Sequence, residues 1–282
     1  MRLAVGFFDG VHVGHRRILA QADAALTFAE HPARVLAPDR VPPLLMTSSQ
    51  RLAAIADALH PSIPRTERAS RVTALAFSDR WAACAPDAFA AWLRDAYPGP
   101  LTVLCGPNWR FGAKGRGTPD VLRTYGFDVS EIPFVVSGGD VVSSTRIRAA
   151  LTAGDLDEAR MLLGRDYAVS GEVMTGKGAG RTWGVPTLNL RLSPELLRVP
   201  AGVYAVETPC GTGVANYGVA PTWGEQAWPE PVLEVHLVKN VTLPAVAPDR
   251  LTVVFKRFIR PERTFPNLEA LREQIARDIH CL

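Results

Sequence analysis

The chain has 282 residues and 47% of them are hydrophobic, which is enough for two domains with a core in each. Its net charge of +3 is small and the cations are dispersed, so nucleic acid is not expected as a partner. The four cysteines lie far apart, which argues against a zinc site or a disulfide framework. The sequence shows neither a membrane-length apolar stretch nor a charged leader, so we expect a cytoplasmic protein with no membrane partner.

Strands and helices alternate along the first half of the chain. An apolar strand at residues 3–8 is followed by a helix from Arg16 to about Ala25, which runs directly into a second strand at 24–28. Ser48 or Ser49 is predicted to cap the next helix. Further strands are predicted at 72–77, 101–105 and 127–132, and further helices after Pro86 and Thr118. Short apolar strands separated by helices predict a doubly wound parallel α/β sheet.

The pattern changes after two more helices, at 143–153 and 156–163. Strands are then predicted at 167–174, 203–206, 213–219, 233–238 and 251–258, without helices between them. This arrangement is typical of an antiparallel barrel or sandwich. Apolar residues at helical spacing from Leu268 to Ile279 predict a C-terminal helix. We therefore expect two domains, residues 1–165 and 166–282.

The first predicted strand ends in the sequence GFFDGVHVGH, residues 6–15. Ligands of parallel sheets bind at the carboxyl ends of the strands, where His12 and His15 could stabilise charge on a phosphate. The sequence is not GxGxxG, so a dinucleotide-binding dehydrogenase is disfavoured. A histidine pair in an ordinary surface loop is the alternative interpretation.

A second polar motif, SSTRIR, lies about 130 residues further along the chain. The hydroxyls of Ser143, Ser144 and Thr145 stand at a helix start, and Arg146 and Arg148 follow on one turn. Guanidinium groups bind phosphate in a bidentate manner, so the motif suits the phosphates of a nucleotide. Taken alone, it could also be a helix cap followed by exposed cations.

Together, the two motifs resemble the adenylyltransferase half of the bacterial bifunctional riboflavin kinase and FAD synthetase, a member of the HxGH nucleotidyltransferase superfamily. The resemblance implies that the FMN phosphate attacks the α-phosphorus of ATP and releases pyrophosphate. His12 and His15 would stabilise the α-phosphate, while Ser144, Thr145, Arg146 and Arg148 would hold pyrophosphate. It further implies a nucleotide side that includes Gly6, Phe7, Asp9, Gly10 and Ser143, and a flavin side that includes Phe28, His31, Pro32 and Asn108.

A glycine-rich segment opens the second domain. Residues 171–177 have the spacing of a phosphate loop, but Gly178 replaces the required hydroxyl residue and no helix follows, so a P-loop kinase is rejected. Thr187 and Asn189 lie two apart in an extended segment, where their oxygens could ligate magnesium. A glycine-rich hairpin with Pro186 at its turn is the alternative.

This segment resembles the GRxLGxPTxN motif of riboflavin kinase, a six-stranded barrel. The resemblance implies Mg²⁺ ligands at Thr187 and Asn189, and a set of residues that bind the nucleotide: Gly176, Lys177, Gly178, Gly180, Arg181, Pro186 and Thr187. Glu234 is the only carboxylate of its predicted strand and alone would be read as an outward-facing residue. The resemblance makes it the base that deprotonates the 5′-hydroxyl of riboflavin, which then attacks the γ-phosphorus of ATP.

The chain is thus predicted to be a bifunctional enzyme that makes FMN from riboflavin and FAD from FMN, with ATP as co-substrate and Mg²⁺ as cofactor. Two alternatives stay open. One is a riboflavin kinase with a degenerate nucleotidyltransferase domain, and the other is a flavin-binding or regulatory protein without turnover. No oligomeric state is predicted.

Overall fold

The computed structural model describes residues 1–174, 187–218, 232–239, 241, 249–263, 265 and 268–280. The chain forms two compact units, Met1–Ser144 and Thr145–Leu282. The predicted α/β class of the first and the predicted antiparallel β class of the second are both confirmed. Among the described residues, no helix is both long enough and apolar enough to cross a membrane.

The first unit is built on a five-stranded parallel sheet. Its strands are β1 (Arg2–Val5), β2 (Ala24–Phe28), β3 (Val72–Leu75), β4 (Thr102–Cys105) and β5 (Asp128–Glu131), in the order β3-β2-β1-β4-β5, with a separate hairpin of β6 (Val136–Ser137) and β7 (Asp140–Val141). The helices are α1 (Val13–Leu19), α2 (Ala33–Leu36), α3 (Ser48–Ala58), α4 (Arg65–Arg68), α5 (Asp79–Ala82), α6 (Pro86–Ala96) and α7 (Pro119–Thr124). Three short 3-10 helices lie at Pro38–Arg40, Ala69–Arg71 and Ala113–Gly115.

Both faces of the sheet are buried. Leu3 of β1 belongs to a core with Leu93 and Leu122, whereas its neighbour Ala4 belongs to a second core with Ile55. Burial on both faces explains why the central strands β2, β1 and β4 are mostly apolar without alternation. The strand order reverses between β1 and β4, and the carboxyl ends of β1, β2 and β4 meet at one edge.

The first helix is shorter than predicted, because α1 ends at Leu19 and not near Ala25. The backbone N–H of Asp23 donates to the carbonyl of Arg2 (2.8 Å), and the Asp23 carboxylate accepts from the Arg2 N–H (2.7 Å). These two bonds start the pairing of β1 and β2 at the first residue after the turn.

The prediction of a cap at Ser48 or Ser49 is also wrong, since Thr47 is the N-cap of α3. Its hydroxyl accepts from the Gln50 N–H (3.3 Å), and the Gln50 side chain accepts from the Thr47 N–H (3.2 Å). This reciprocal capping box satisfies two backbone donors, which a single serine cap does not.

The second unit is a closed six-stranded antiparallel barrel, and its described residues also form three helices. It contains α8 (Ser144–Thr152, beginning with the last residue of the first unit), α9 (Leu156–Leu163), β8 (Ala168–Met174), β9 (Thr187–Arg191), β10 (Gly202–Thr208), β11 (Gly211–Gly218), β12 (Val232–Lys239), β13 (Arg250–Arg260) and α10 (Leu268–Ile279). The strands close in the order β10-β11-β12-β9-β8-β13. The compact units divide after Ser144, and a domain boundary after residue 165 stays a prediction.

Helix α10 is held to β13 by a buried ion pair. The Nε of Arg260 donates to both carboxylate oxygens of Asp278 (3.0 and 3.1 Å), and its Nη2 donates to Oδ2 (2.8 Å). Gln274, one turn earlier on α10, donates to Oδ1 of Asp278 (2.7 Å).

Candidate active sites

The turn after β1 has a strained backbone. Phe8 (φ +59°) and Val11 (φ +39°) lie in the left-handed region together with Gly10 (φ +79°). A β-branched residue such as Val11 rarely adopts this conformation, and such strain clusters at functional sites. The side chains of Phe8 and Val11 are buried in the core, which holds the turn in place.

His12 and His15 are brought together at the start of α1. Nδ1 of His12 accepts from the backbone N–H of His15 (3.3 Å), and the two rings stack with centroids 3.6 Å apart. Burial, followed by the charge of His12, holds the pKa of His15 well below its usual value of 6.5. His15 is therefore neutral at neutral pH, and its buried Nδ1 has no hydrogen-bond partner among the described residues.

The two predicted nucleotide motifs meet within the first unit. The hydroxyl of Ser144 donates to the backbone carbonyl of Asp9 (2.8 Å), across a sequence separation of 135 residues. The buried carboxylate oxygens of Asp9 accept from the backbone N–H of Leu45 (3.1 and 3.2 Å), so Asp9 connects the turn to the segment that contains Leu45. Gly6, at the other end of the turn, donates its N–H to the carbonyl of Leu26 on β2 (3.2 Å).

The remaining residues of the second motif lie at or on α8. Ser143 directly precedes the helix, and Thr145, Arg146 and Arg148 belong to the second unit. The Arg146 guanidinium forms an ion pair with Glu158 of α9. A carboxylate partner orients Arg146 but also offsets its charge, which matters for a residue predicted to hold pyrophosphate.

The predicted flavin-side residues follow the carboxyl ends of β2 and β4. Phe28 ends β2 and packs edge-to-face on Phe77 (ring centroids 4.8 Å apart). His31 contacts the ring of Phe7 (centroids 4.6 Å apart), and its Nδ1 accepts from the backbone N–H of Ala33 (3.1 Å). Pro32 is the N-cap residue of α2, and Asn108 lies in the turn after β4, close to Gly106.

Arg51 of α3 is a residue of this site that the sequence did not reveal. It is fully buried, with 1% of its surface exposed. Its Nη1 donates to the Phe7 carbonyl (2.8 Å) and the Thr27 hydroxyl (2.9 Å), and its Nη2 donates to the carbonyls of Phe28 (2.7 Å) and Ala29 (2.8 Å). The only signal in the sequence is an arginine four residues before Ile55 on the apolar face of a helix.

In the second unit, strand register brings three polar residues into one row. Glu234 of β12 is paired with Asn189 of β9 on one side and with Asn216 of β11 on the other. Leu233, the neighbour of Glu234, is paired with buried Leu190 and Tyr217, and cross-strand partners share a face of the sheet. The polar row therefore lies on the face opposite to the apolar one.

Asn189 has the chemistry of a metal ligand. Its Oδ1 atom is buried and has no hydrogen-bond partner among the described residues. An amide oxygen without a donor fits a hard cation such as Mg²⁺, which prefers oxygen ligands. Thr187, its predicted co-ligand, begins β9 opposite His236. The described residues contain no group of three or more His, Cys, Asp or Glu suited to a metal ion.

Two further residues border the row. His236 lies two residues after Glu234, and burial lowers its pKa while the charge of Glu234 acts to raise it. Glu262, after β13, accepts from the side-chain amide of Asn216 (3.1 Å) and lies so close to Gly218 that a side chain there would displace it. The alternation of polar and apolar residues along β11 could have singled out Asn216, whereas nothing local in the sequence indicates Glu262.

Six of the predicted nucleotide-binding residues of the second domain lie outside the described residues: Gly176, Lys177, Gly178, Gly180, Arg181 and Pro186.

Two family models match the chain in tandem. Residues 1–146 match FAD synthetase, and residues 163–282 match riboflavin kinase. Two similar proteins are named bifunctional riboflavin kinase/FMN adenylyltransferase. The protein from Escherichia coli (strain K12) is 33% identical, and the match covers 98% of this chain and 90% of that protein. The protein from Bacillus subtilis (strain 168) is 30% identical, and the match covers 98% of this chain and 89% of that protein. A crystal structure described as a macrolide-efflux protein from Streptococcus pneumoniae superposes with a TM-score of 0.78 at 25% identity, covering 98% of this chain and 91% of that one.

Proposed function

The chain belongs to the family of bifunctional riboflavin kinases and FMN adenylyltransferases, and we propose that each of its two reactions runs at one of the two sites described above. It is an enzyme of FAD biosynthesis that phosphorylates riboflavin to FMN and adenylylates FMN to FAD, using ATP in both steps. The observation that carries this function is the pair of family matches, in order, along one chain. We assign residues 1–165 to adenylylation and residues 166–282 to the kinase.

In the proposed adenylylation site, His12, His15 and Ser144 bind the phosphates of ATP. Nδ1 of His12 accepts a hydrogen bond, so the proton of a neutral ring lies on Nε2, where it can be donated to an oxygen of the α-phosphate. His15 remains neutral because of its lowered pKa and can also act as a donor. Donors that are already in place stabilise charge as it develops on the α-phosphate while the FMN phosphate attacks.

The leaving pyrophosphate is assigned to the start of α8. Ser143, Ser144, Thr145, Arg146 and Arg148 supply hydroxyl and guanidinium donors in one stretch. The bond from Ser144 to the Asp9 carbonyl supports this assignment, because it ties Ser144 to the turn of Gly6, Phe7, Asp9 and Gly10. The flavin is assigned to Phe28, His31, Pro32 and Asn108, at the adjacent strand ends.

In the proposed kinase site, Glu234 accepts the proton of the riboflavin 5′-hydroxyl. Its place in the polar row, between two amide side chains, keeps the carboxylate in a polar setting on an otherwise apolar strand. Thr187 and Asn189 would hold Mg²⁺, and the unpartnered Asn189 oxygen supports this role. When bound, the metal neutralises charge on the ATP phosphates. We assign those phosphates to the residues Gly176, Lys177, Gly178, Gly180, Arg181, Pro186 and Thr187. We propose the cytoplasm as the location of the protein.

Chromatography of the reaction products tests the function directly. The purified chain is incubated with riboflavin, ATP and Mg²⁺, and in parallel with FMN, ATP and Mg²⁺. We expect FMN and FAD in the first reaction and FAD in the second. FMN without FAD in both reactions would reduce the function to a riboflavin kinase, and the absence of both products would leave only flavin binding. Omission of Mg²⁺ should stop FMN formation.

A further inference from the structure

Arg51 carries a charge into the core of the first unit, where its hydrogen bonds to described residues all go to neutral oxygens. Each hydrogen bond that the structure gives Arg51 goes to a backbone carbonyl or to the Thr27 hydroxyl. Burial lowers the pKa of Arg51 to about 10, and the charges of Asp9 and Glu30 act in the opposite direction, so the guanidinium is still protonated at neutral pH. Burying a charge is costly unless it is both hydrogen-bonded and paired with an opposite charge, and the four hydrogen bonds of Arg51 all go to neutral oxygens, so this arrangement is not explained by packing alone.

The oxygens that Arg51 binds belong to two different parts of the adenylylation site. Phe7 lies in the turn assigned to the nucleotide, and Arg51 binds both its carbonyl and the face of its ring (4.0 Å from Cζ to the centroid). Phe28 and Ala29 open the segment assigned to the flavin. A guanidinium group is planar and its donors are fixed relative to one another, so it sets the distance between the oxygens it binds.

We propose that Arg51 is a positioning residue for adenylyl transfer, which fixes the nucleotide-binding turn relative to the flavin-binding segment. This inference rests on the proposed function of the first unit. The reaction joins two bound substrates directly, so its rate depends on how the FMN phosphate is placed against the α-phosphorus. A displacement of about 1 Å can lower such a rate by about 100-fold.

Thr27 provides a second, milder way to loosen the same contact. Its buried hydroxyl accepts from Arg51 (2.9 Å) and donates to the Phe7 carbonyl (3.2 Å), so it links β2 to the nucleotide-binding turn. Valine has nearly the shape of threonine, and Thr27→Val therefore removes this link with little change in packing.

The test compares Arg51→Lys with Arg68→Lys in the full chain. Lysine keeps the charge of Arg51 but has one nitrogen in place of the fork, so it cannot hold both segments. Arg68 is a matched control in the same unit, because it donates to the carbonyls of Ile63, Asp57 and Pro61 at a distance from the assigned residues. The measured quantities are kcat and KM for FMN adenylylation. The urea unfolding midpoint of the first unit checks that each variant is folded, and FMN formation from riboflavin checks that the second unit is unaffected.

We expect Arg51→Lys to lower kcat for adenylylation by about 100-fold while KM for ATP and KM for FMN change by less than about threefold. Thr27→Val should lower kcat by about tenfold, since it removes one hydrogen bond to a charged group. Arg68→Lys should leave both reactions near the wild-type rates.

The inference is overturned if Arg51→Lys retains adenylylation, or loses no more of it than Arg68→Lys does. A rise in KM for one substrate at unchanged kcat would also overturn it, because Arg51 would then serve only one half of the site. If Arg51→Lys fails to fold, the test rests on Thr27→Val, and a wild-type kcat for adenylylation in Thr27→Val overturns the inference. Failure of the unaltered chain to make FAD would instead overturn the proposed function.

Discussion

Replacing Asp278 by asparagine should strongly destabilise the second unit. Asp278 and Arg260 expose only 4% and 12% of their side chains, so the pair is desolvated. The substitution keeps the shape but turns one acceptor into an amide N–H that faces the guanidinium, and leaves Arg260 as a buried charge without its counter-ion. Breaking a buried ion pair from one side costs about 3–5 kcal/mol in the free energy of unfolding, out of about 5–15 kcal/mol for a typical domain.

Equilibrium unfolding in urea measures this loss. With a urea dependence of about 1–3 kcal/mol per molar, the midpoint for the second unit should fall by about 1 M or more. Kinase activity at each urea concentration reports the second unit. Asp157→Asn is the matched control, because Asp157 forms an ion pair with Arg160 in the same unit (2.8 Å) but is 89% exposed. Water screens such a pair, so the control should have little effect.

Equal midpoints for Asp278→Asn and Asp157→Asn would refute this reasoning. The double variant Arg260→Leu/Asp278→Leu refines the test, since replacing both partners by apolar residues removes the uncompensated charge and should cost less than Asp278→Asn. A kinase effect is expected too. Glu262 lies two residues after Arg260 and accepts from Asn216, the neighbour of Glu234, so loosening α10 disturbs the polar row.

Glu234→Gln should lower FMN formation by about 10²–10⁴-fold through loss of the base, with adenylylation of supplied FMN unchanged. The control is Glu172→Gln, a substitution of an exposed glutamate in the same unit. A rate of FMN formation within tenfold of wild type, or an equal loss in the control, would contradict the assignment. His15→Ala should lower FAD formation by about 10²-fold or more and spare FMN formation, and loss of both activities would argue against two independent sites. Because burial lowers the pKa of His15, the unfolded chain binds its proton first, so this residue's contribution to stability is complete above about pH 6.5 and is lost as the pH falls below it. Urea midpoints of the first unit at about pH 7.5 and about pH 5.5 should therefore differ less in His15→Ala than in wild type, and equal differences would refute the effect.

The sequence predicted the features that repeat along an element. Continuous apolar runs such as β1 indicated a buried parallel sheet, and the spacing from Leu268 to Ile279 indicated α10. It did not predict features that depend on a distant partner. The Thr47 cap of α3 is by contrast a local feature, completed by Gln50 three residues later, and the prediction missed it because two adjacent serines were equally plausible caps. Among the strands, β9 was foreseen only as an extended segment, because its run of five residues is short and follows a glycine-rich stretch.

The same distinction separates the two sites. In the kinase unit, the row of Asn189, Glu234 and Asn216 follows from strand register, and a one-residue slip would turn its side chains into the apolar face. Backbone pairing of the barrel strands is therefore sufficient to place these three residues in one row. The segments of the adenylylation site instead lie beyond the ends of the strands, where no backbone pairing aligns them. Single side chains join these segments. Ser144 binds the turn at Asp9, and Arg51 links the turn to the end of β2. Such contacts can be lost one at a time while the sheet stays folded. This is why Arg51, which resembles an ordinary surface cation in the sequence, has a structural reason to control one reaction and not the other.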